Sequence, residues 1–117
     1  MEISVFLNNI KQEFLESCNL YHPNQIGNSI TIYKDENEIP ELDGFELAII
    51  GVEEDRNSFN NKGCKDAPNA IRKSLYQLFN HWKDIKIIDL GNIKTGFGIE
   101  DTYFALNKVV MTLMKYR

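Results

Sequence analysis

Histidine, cysteine and proline are scarce in this sequence, with two His, two Cys and three Pro among 117 residues. A zinc or di-metal centre needs several His, Cys, Asp or Glu side chains converging, and His22 and His81 stand alone, with neither an HxxxH nor a DxHxD arrangement around them. Cys18 and Cys64 are far apart, in neither CxxC spacing nor a disulfide-dense pattern, which predicts two thiols in a reducing compartment. A nucleophilic dyad of Cys64 with either histidine as its base has nothing local to support activation of the thiol. Basic blocks are missing too: 13 Lys plus Arg stand against 17 Asp plus Glu, a net charge of -4, which speaks against a nucleic-acid backbone as partner. No run approaches the roughly 20 apolar residues of a bilayer crossing. The opening MEISVFLNNIKQEF, with Glu2 where a basic region would sit, does not read as a signal peptide, so the cytoplasm is the expected location. The nearest approach to a phosphate loop, Gly91 to Gly98 (GNIKTGFG), fits neither the GxxxxGK nor the GxGxxG spacing.

What is present is enough for one domain, with 43% hydrophobic residues. Ile3, Phe6 or Leu7, Ile10 and Phe14 recur at helical spacing and predict an amphipathic helix over residues 3–16. Pro23 and Gly27 mark a turn before Ile30 to Tyr33, whose β-branched and aromatic residues predict a short strand. The acidic stretch from Lys34 to Gly44 carries Pro40 and reads as an exposed connection. Glu46 to Val52 (ELAIIGV) has the look of a strand buried on both faces. Pro68, with Asp66 as candidate cap, opens a helix with Ile71, Leu75 and Leu78 as its apolar stripe, ending near His81, which reads as a capping or packing residue. Ile85 to Leu90 predicts a second buried strand closed by Gly91. A second helix begins around Asp101 with Leu106, Val109, Val110 and Leu113 as its core stripe.

Strand, helix, strand, helix predicts parallel strands with right-handed crossovers. The expected fold class is α/β, an incomplete open parallel sheet with helices on its faces, preceded by an N-terminal helix and a short strand. Residues 1–44 form the expected extension and residues 45–117 the βαβα portion. Two or three strands leave sheet edges unpaired, so either further chain or another subunit is expected to complete the sheet.

Ligands of open α/β sheets bind beyond the carboxyl ends of the strands, which points to residues 53–66 and 92–98. The first segment is dense in polar groups, among them Glu54, Asp55, Arg56, Asn60 and Asn61. Two readings stand side by side: a loop that positions a polar ligand, or a solvated loop with internal Asp55–Arg56 or Glu54–Lys62 pairing.

The stretch from Phe45 to Leu78 (FELAIIGVEEDRNSFNNKGCKDAPNAIRKSLYQL) resembles the opening of the ureohydrolase superfamily of arginase, agmatinase and formimidoylglutamase. That family begins with a buried strand ending in G-V/I-P, a loop with D-x-G and a Gly- and Asn-rich segment, then G-P-x-A-I-R and a helix. Gly51, Val52, Asp55, Asn60, Asn61, Gly63, Pro68, Ala70, Ile71 and Arg72 stand in those places, and IIDLGNI at 87–93, with Asp89 and Gly91, resembles the second strand and its turn. Glu53 stands where proline is common and Ala67 where glycine precedes the proline, departures that point toward a formimidoylglutamase-like branch.

The resemblance implies an arginase-like N-terminal portion. Hydrolysis of a guanidino or formimino carbon uses a metal-bridged hydroxide. The family's two manganese ions are held by a histidine after the third strand and by later D-A-H-x-D and D-x-D segments, none of which occurs here. No catalytic residue, metal ligand or cofactor is therefore expected in this chain, and manganese only in a complete family member. Glu54, Asp55, Arg56, Asn60 and Asn61 would form part of a substrate mouth. Gly51, Gly63, Pro68, Arg72, Asp89 and Gly91 would be structural, Arg72 as an ion-pair or loop-tethering residue. Two functions follow: the N-terminal scaffold of a truncated manganese-dependent hydrolase, or a non-catalytic α/β interaction module completed by self-association or a partner protein.

Overall fold

The computed structural model describes residues 2–57 and 63–116. A 3₁₀ turn over Ile3–Phe6 leads into strand β1 (Leu7–Asn8), helix α1 (Gln12–Ser17), helix α2 (Ile26–Ser29) and strand β2 (Thr31–Ile32). Strand β3 (Leu47–Val52), a 3₁₀ turn at Cys64–Asp66, helix α3 (Ala67–Gln77), strand β4 (Ile87–Ile93) and helix α4 (Ile99–Leu113) follow. The result is an open four-stranded α/β sheet with helices on both faces.

β4 is the central strand. β3 pairs with it in parallel along one edge, from Leu47↔Ile87 to Val52↔Ile93. A strand has two edges, so β1 and β2 share the other: β2 runs parallel beside Ile88 and Asp89, and β1 antiparallel beside Asn92 and Ile93. The changeover falls at Gly91, where the backbone turns to φ 81° and the register to β3 slips by one residue. An L side chain is strained at that φ, and a Cβ there would overlap the carbonyl oxygen of Asn8.

This bulge decides which face each residue of β4 serves. Strict alternation would send Asn92 to the face of Leu90. With one extra residue, Ile88, Leu90 and Ile93 instead share a face with Ile3, Leu7, Tyr33, Ala105 and Val109, the main apolar core beneath α4. Asp89 and Asn92 share the opposite face, beneath α3. Each fully buried Leu, Ile or Val of the core contributes about 1.5–3 kcal/mol. A second, smaller cluster of Cys18, Ile26 and Tyr76 lies under α3, with Phe14, Leu20 and Ile32 against it.

Four expectations need correction. Residues 3–16 are not one helix: Ile3 and Leu7 enter the main core from a 3₁₀ turn and a strand, and Ile10 is buried just beyond that strand, because the edge of β4 pairs with Leu7 and Asn8. The antiparallel β1 means that the sheet is not purely parallel. α3 ends at Gln77, leaving His81 exposed beyond it. Its buried residues are Arg72 and Tyr76; of the expected stripe Leu75 is half-buried against the Cys18–Ile26–Tyr76 cluster, while Ile71 and Leu78 are 63% and 58% exposed, since part of the inward face meets the Asp89 carboxylate.

The other strand and helix carry smaller surprises. β3 is not buried on both faces, for Leu47 is half exposed and only Gly51 is buried, as its outer edge has no strand beside it among the described residues. On α4 the buried positions are Thr102, Ala105 and Val109, with Leu106 and Leu113 half-buried and Val110 exposed. Gly98 begins this helix without a side chain to cap it, and Asp101 accepts the Gly98 N–H at 2.9 Å instead.

Candidate functional site

β3 and β4 both run toward the same edge of the sheet, and two loops leave it there, at residues 53–57 and 94–98. Arg56 ties them together. Its guanidinium donates to the Glu54 carboxylate through Nε (2.8 Å) and through Nη2, to Phe97 O at 2.8 Å and to Gly96 O at 3.0 Å. Thr102, buried in the first turn of α4, donates its hydroxyl to Glu54 at 2.8 Å and accepts the Gly96 N–H at 2.8 Å. Across the same gap Thr95 donates to Glu53 O. The Glu54 side chain is 3% exposed and Arg56 37%. Hydrogen bonds from Arg56, ahead of the opposing effect of burial, hold the Glu54 carboxyl down to about 2.

Asp55 accepts the backbone N–H of Gly63, which takes φ 103°, at 2.5 Å, and its charge also acts on Arg56. Asn60, Asn61 and Lys62 lie outside the described residues, and with them the candidate Glu54–Lys62 pairing. Among the described residues Glu54 is ion-paired to Arg56.

Behind this edge lies a buried polar network. Arg72, 2% exposed, donates to both oxygens of Asp89 (2.8 and 3.1 Å), to Asn92 Oδ1 (2.6 Å), to Asn69 Oδ1 (3.1 Å) and to the Gly91 carbonyl (2.7 Å). Asp89, with no exposed surface, also accepts the Tyr76 hydroxyl at 2.5 Å and the Gly91 N–H at 3.0 Å. A guanidinium has five donors in a fixed fork, and here each side of it meets an acceptor. Burial first, then the adjacent Asp89 charge and the hydrogen bond to it, push the Tyr76 phenol well above its ordinary value of 10. Among the described residues no buried side-chain polar atom lacks a partner.

Small residues make room for the network. A Cβ at Gly51 would overlap Asn92 Oδ1 and meet the Pro68 Cβ at 2.7 Å, so Gly51 lets the first turn of α3 settle on β3. The structure thus brings Gly51, Pro68, Arg72, Asp89 and Gly91 into one assembly and keeps Glu54, Asp55 and Arg56 apart from it in the loops.

Residue reading alone did not single out Tyr76, Asn69, Asn92 or Thr102. Tyr76 had a signal, one helical turn after Arg72; Asn92 directly follows Gly91, but only the bulge turns it toward Arg72. Thr102 carries none, since its value lies in a contact with residues 54 and 96.

The groups gathered at this edge are hydrogen-bonding side chains and backbone carbonyls engaged with one another. Among the described residues no three His, Cys, Asp or Glu side chains converge as a metal-holding group. These residues do not fit the two manganese ions that the family resemblance implies. His22 stacks on Phe79 with centroids 4.8 Å apart, and His81 meets Trp82 edge-on. Cys18 is buried against Phe14 O, burial raising its thiol, and neither cysteine forms a disulfide. Among the described residues no helix is long and apolar enough to cross a membrane.

No curated protein and no solved structure matches the chain. A protein-family model does: the arginase family is matched over residues 45–116, from just before β3 to just after α4, so that both loops and the whole Arg72 network fall within the match. By that match the chain belongs to the arginase family.

Proposed function

We propose that residues 45–117 are the N-terminal scaffold portion of a manganese-dependent, ureohydrolase-like C–N hydrolase acting on guanidino or formimino compounds, with residues 1–44 as an extension on it. The family match over residues 45–116 carries this reading. The Glu53 and Ala67 departures support a formimidoylglutamase-like branch. In this role no metal-holding group of His, Cys, Asp or Glu converges among the described residues, and hydrolysis would fall to other parts of a complete family member. It contributes the fixed frame of β3, β4 and α3, and one wall of a substrate mouth from Glu54, Asp55 and Arg56, together with Asn60 and Asn61.

Elemental analysis of the purified chain after dialysis tests the reading. The expected outcome is manganese and zinc far below one per chain, with no urea or formamide released from guanidino or formimino substrates. Tight equimolar metal, or turnover by the chain alone, would overturn it.

A second reading, a non-catalytic module completed by another copy or another protein, is favoured by the apolar groove beside β3. Leu47, Ile50, Val110, Leu113 and Met114 line it next to the open strand edge. Sedimentation at rising concentration tests this: a clean monomer that binds no hydrophobic dye argues against it.

A further inference from the structure

A second feature of the carboxyl edge involves the residues that precede the family match. Between residues 8–14 and the ends of β3 and β4 lies a cleft of about 300 Å³, lined by Ile10, Lys11, Phe14, Glu53, Asn69 and Asn92. That is the lower end of the size range of small-molecule sites, room for a single amino acid but not for a nucleotide or peptide.

Its polar groups are placed by the frame behind them. Arg72 can only donate, so Asn92 turns its Oδ1 to Arg72 and its amide nitrogen away. That nitrogen makes one long contact, 3.4 Å to Asn69 Oδ1, and uses one of its two N–H groups. On the opposite wall Lys11 donates to Asn9 Oδ1 at 3.2 Å, and Asn9 is itself held through the Ile10 and Lys34 carbonyls. The Lys11 ammonium has two further N–H groups. Among the described residues neither Lys11 nor Glu53 belongs to an ion pair, so these opposite charges border one cleft without closing on each other.

We propose that this cleft binds a small zwitterion of the free aliphatic α-amino acid class, its carboxylate at Lys11 and the Asn92 amide, its ammonium at Glu53, and its side chain against Ile10 and Phe14. A simple anion would meet Glu53 and a simple cation Lys11; a ligand with both charges satisfies both walls. The proposal rests on the cleft alone, so its outcome does not depend on the hydrolase reading.

The test is an NMR titration of the full chain with L-leucine, with 4-methylpentanoate (carboxylate only) and with isoamylamine (ammonium only). L-leucine is expected to give saturable shifts at the backbone amides of Lys11, Glu53 and Asn92, with each half-charged analogue at least about tenfold weaker. Lys11→Ala and Glu53→Gln, both outside the core, should each weaken L-leucine to a similar degree while the β4 resonances stay in place. Three results would each overturn the proposal: no saturable shift up to the solubility of leucine, equal binding of the analogues, or unchanged affinity in both variants.

Discussion

The chain contains two arginine–carboxylate pairs that solve different problems. Arg72 and Asp89 meet between α3 and β4 with side chains 2% and 0% exposed, while Arg56 and Glu54 meet at the loop edge with Arg56 37% exposed. The first pair lies where water cannot reach, so each partner is indispensable to the other. The second trades contacts with water for contacts with carbonyls, so it fixes loops without deciding whether the chain folds. Identical chemistry thus serves as frame in one place and as tether in the other, and burial separates the two.

The largest expected effect comes from breaking the buried pair. Asp89→Ala leaves the Arg72 guanidinium in the interior without a counter-charge and should cost about 3–5 kcal/mol, a large part of what an ordinary domain has, measured by urea unfolding. An apolar double replacement, Arg72→Met with Asp89→Leu, should lose less than either single change, because no lone charge remains. A single-variant loss under about 1 kcal/mol would remove the distinction between frame and tether.

Gly91→Ala strikes the bulge that lets β4 serve both β2 and β1. Strain at φ 81° together with the Asn8 overlap should cost about 1–3 kcal/mol and release β1, seen as faster hydrogen exchange at the Lys94 amide, which bonds Phe6 O.

Tyr76→Phe removes one hydrogen bond to a buried carboxylate, for an expected loss of about 1.5 kcal/mol. The same phenol gives a pH signature. Its folded value lies above the ordinary 10, so the stability tied to the neutral phenol is whole below pH 10 and falls as pH rises beyond it; Tyr76→Phe should flatten that alkaline decline.

The smallest effect on global stability belongs to Glu54→Gln, which should instead loosen residues 94–98, read as faster exchange of the Gly96 amide. Here the sign reverses. The Glu54 carboxyl is held down to about 2 from an ordinary 4.5, so its contribution is present above pH 4.5 and is lost as pH falls toward 2. A carboxyl titration by NMR with a midpoint near the ordinary value would show that the tether is not closed in solution.

The elements legible in the sequence are those whose signal is local. ELAIIGV and IKIIDL announce strands by their apolar runs, Pro68 and the polar residues before it announce the start of α3, and the stripe through Leu106, Val109, Val110 and Leu113 announces α4, although Val110 is exposed. β1 has only two residues and exists because the β4 edge beyond the bulge is available to it. The inward face of α3 misled for a related reason: periodicity expects apolar residues inward, and here the interior offers a charge.

The sequence by itself determined the α/β class, the order of strands and helices in residues 45–116, and the family to which the chain belongs. Each of these is written in neighbouring residues, through propensity, period and motif spacing. Only the tertiary structure decided that Asp89 and Asn92 share a face, that Glu54 pairs with Arg56, that Thr102 joins the two loops, and that Lys11 and Glu53 border one cleft. Most of those outcomes depend on a one-residue slip at Gly91 or on residues tens of positions apart meeting at one sheet edge. Pairing across such distances is fixed by how whole elements pack, which no local window of sequence contains.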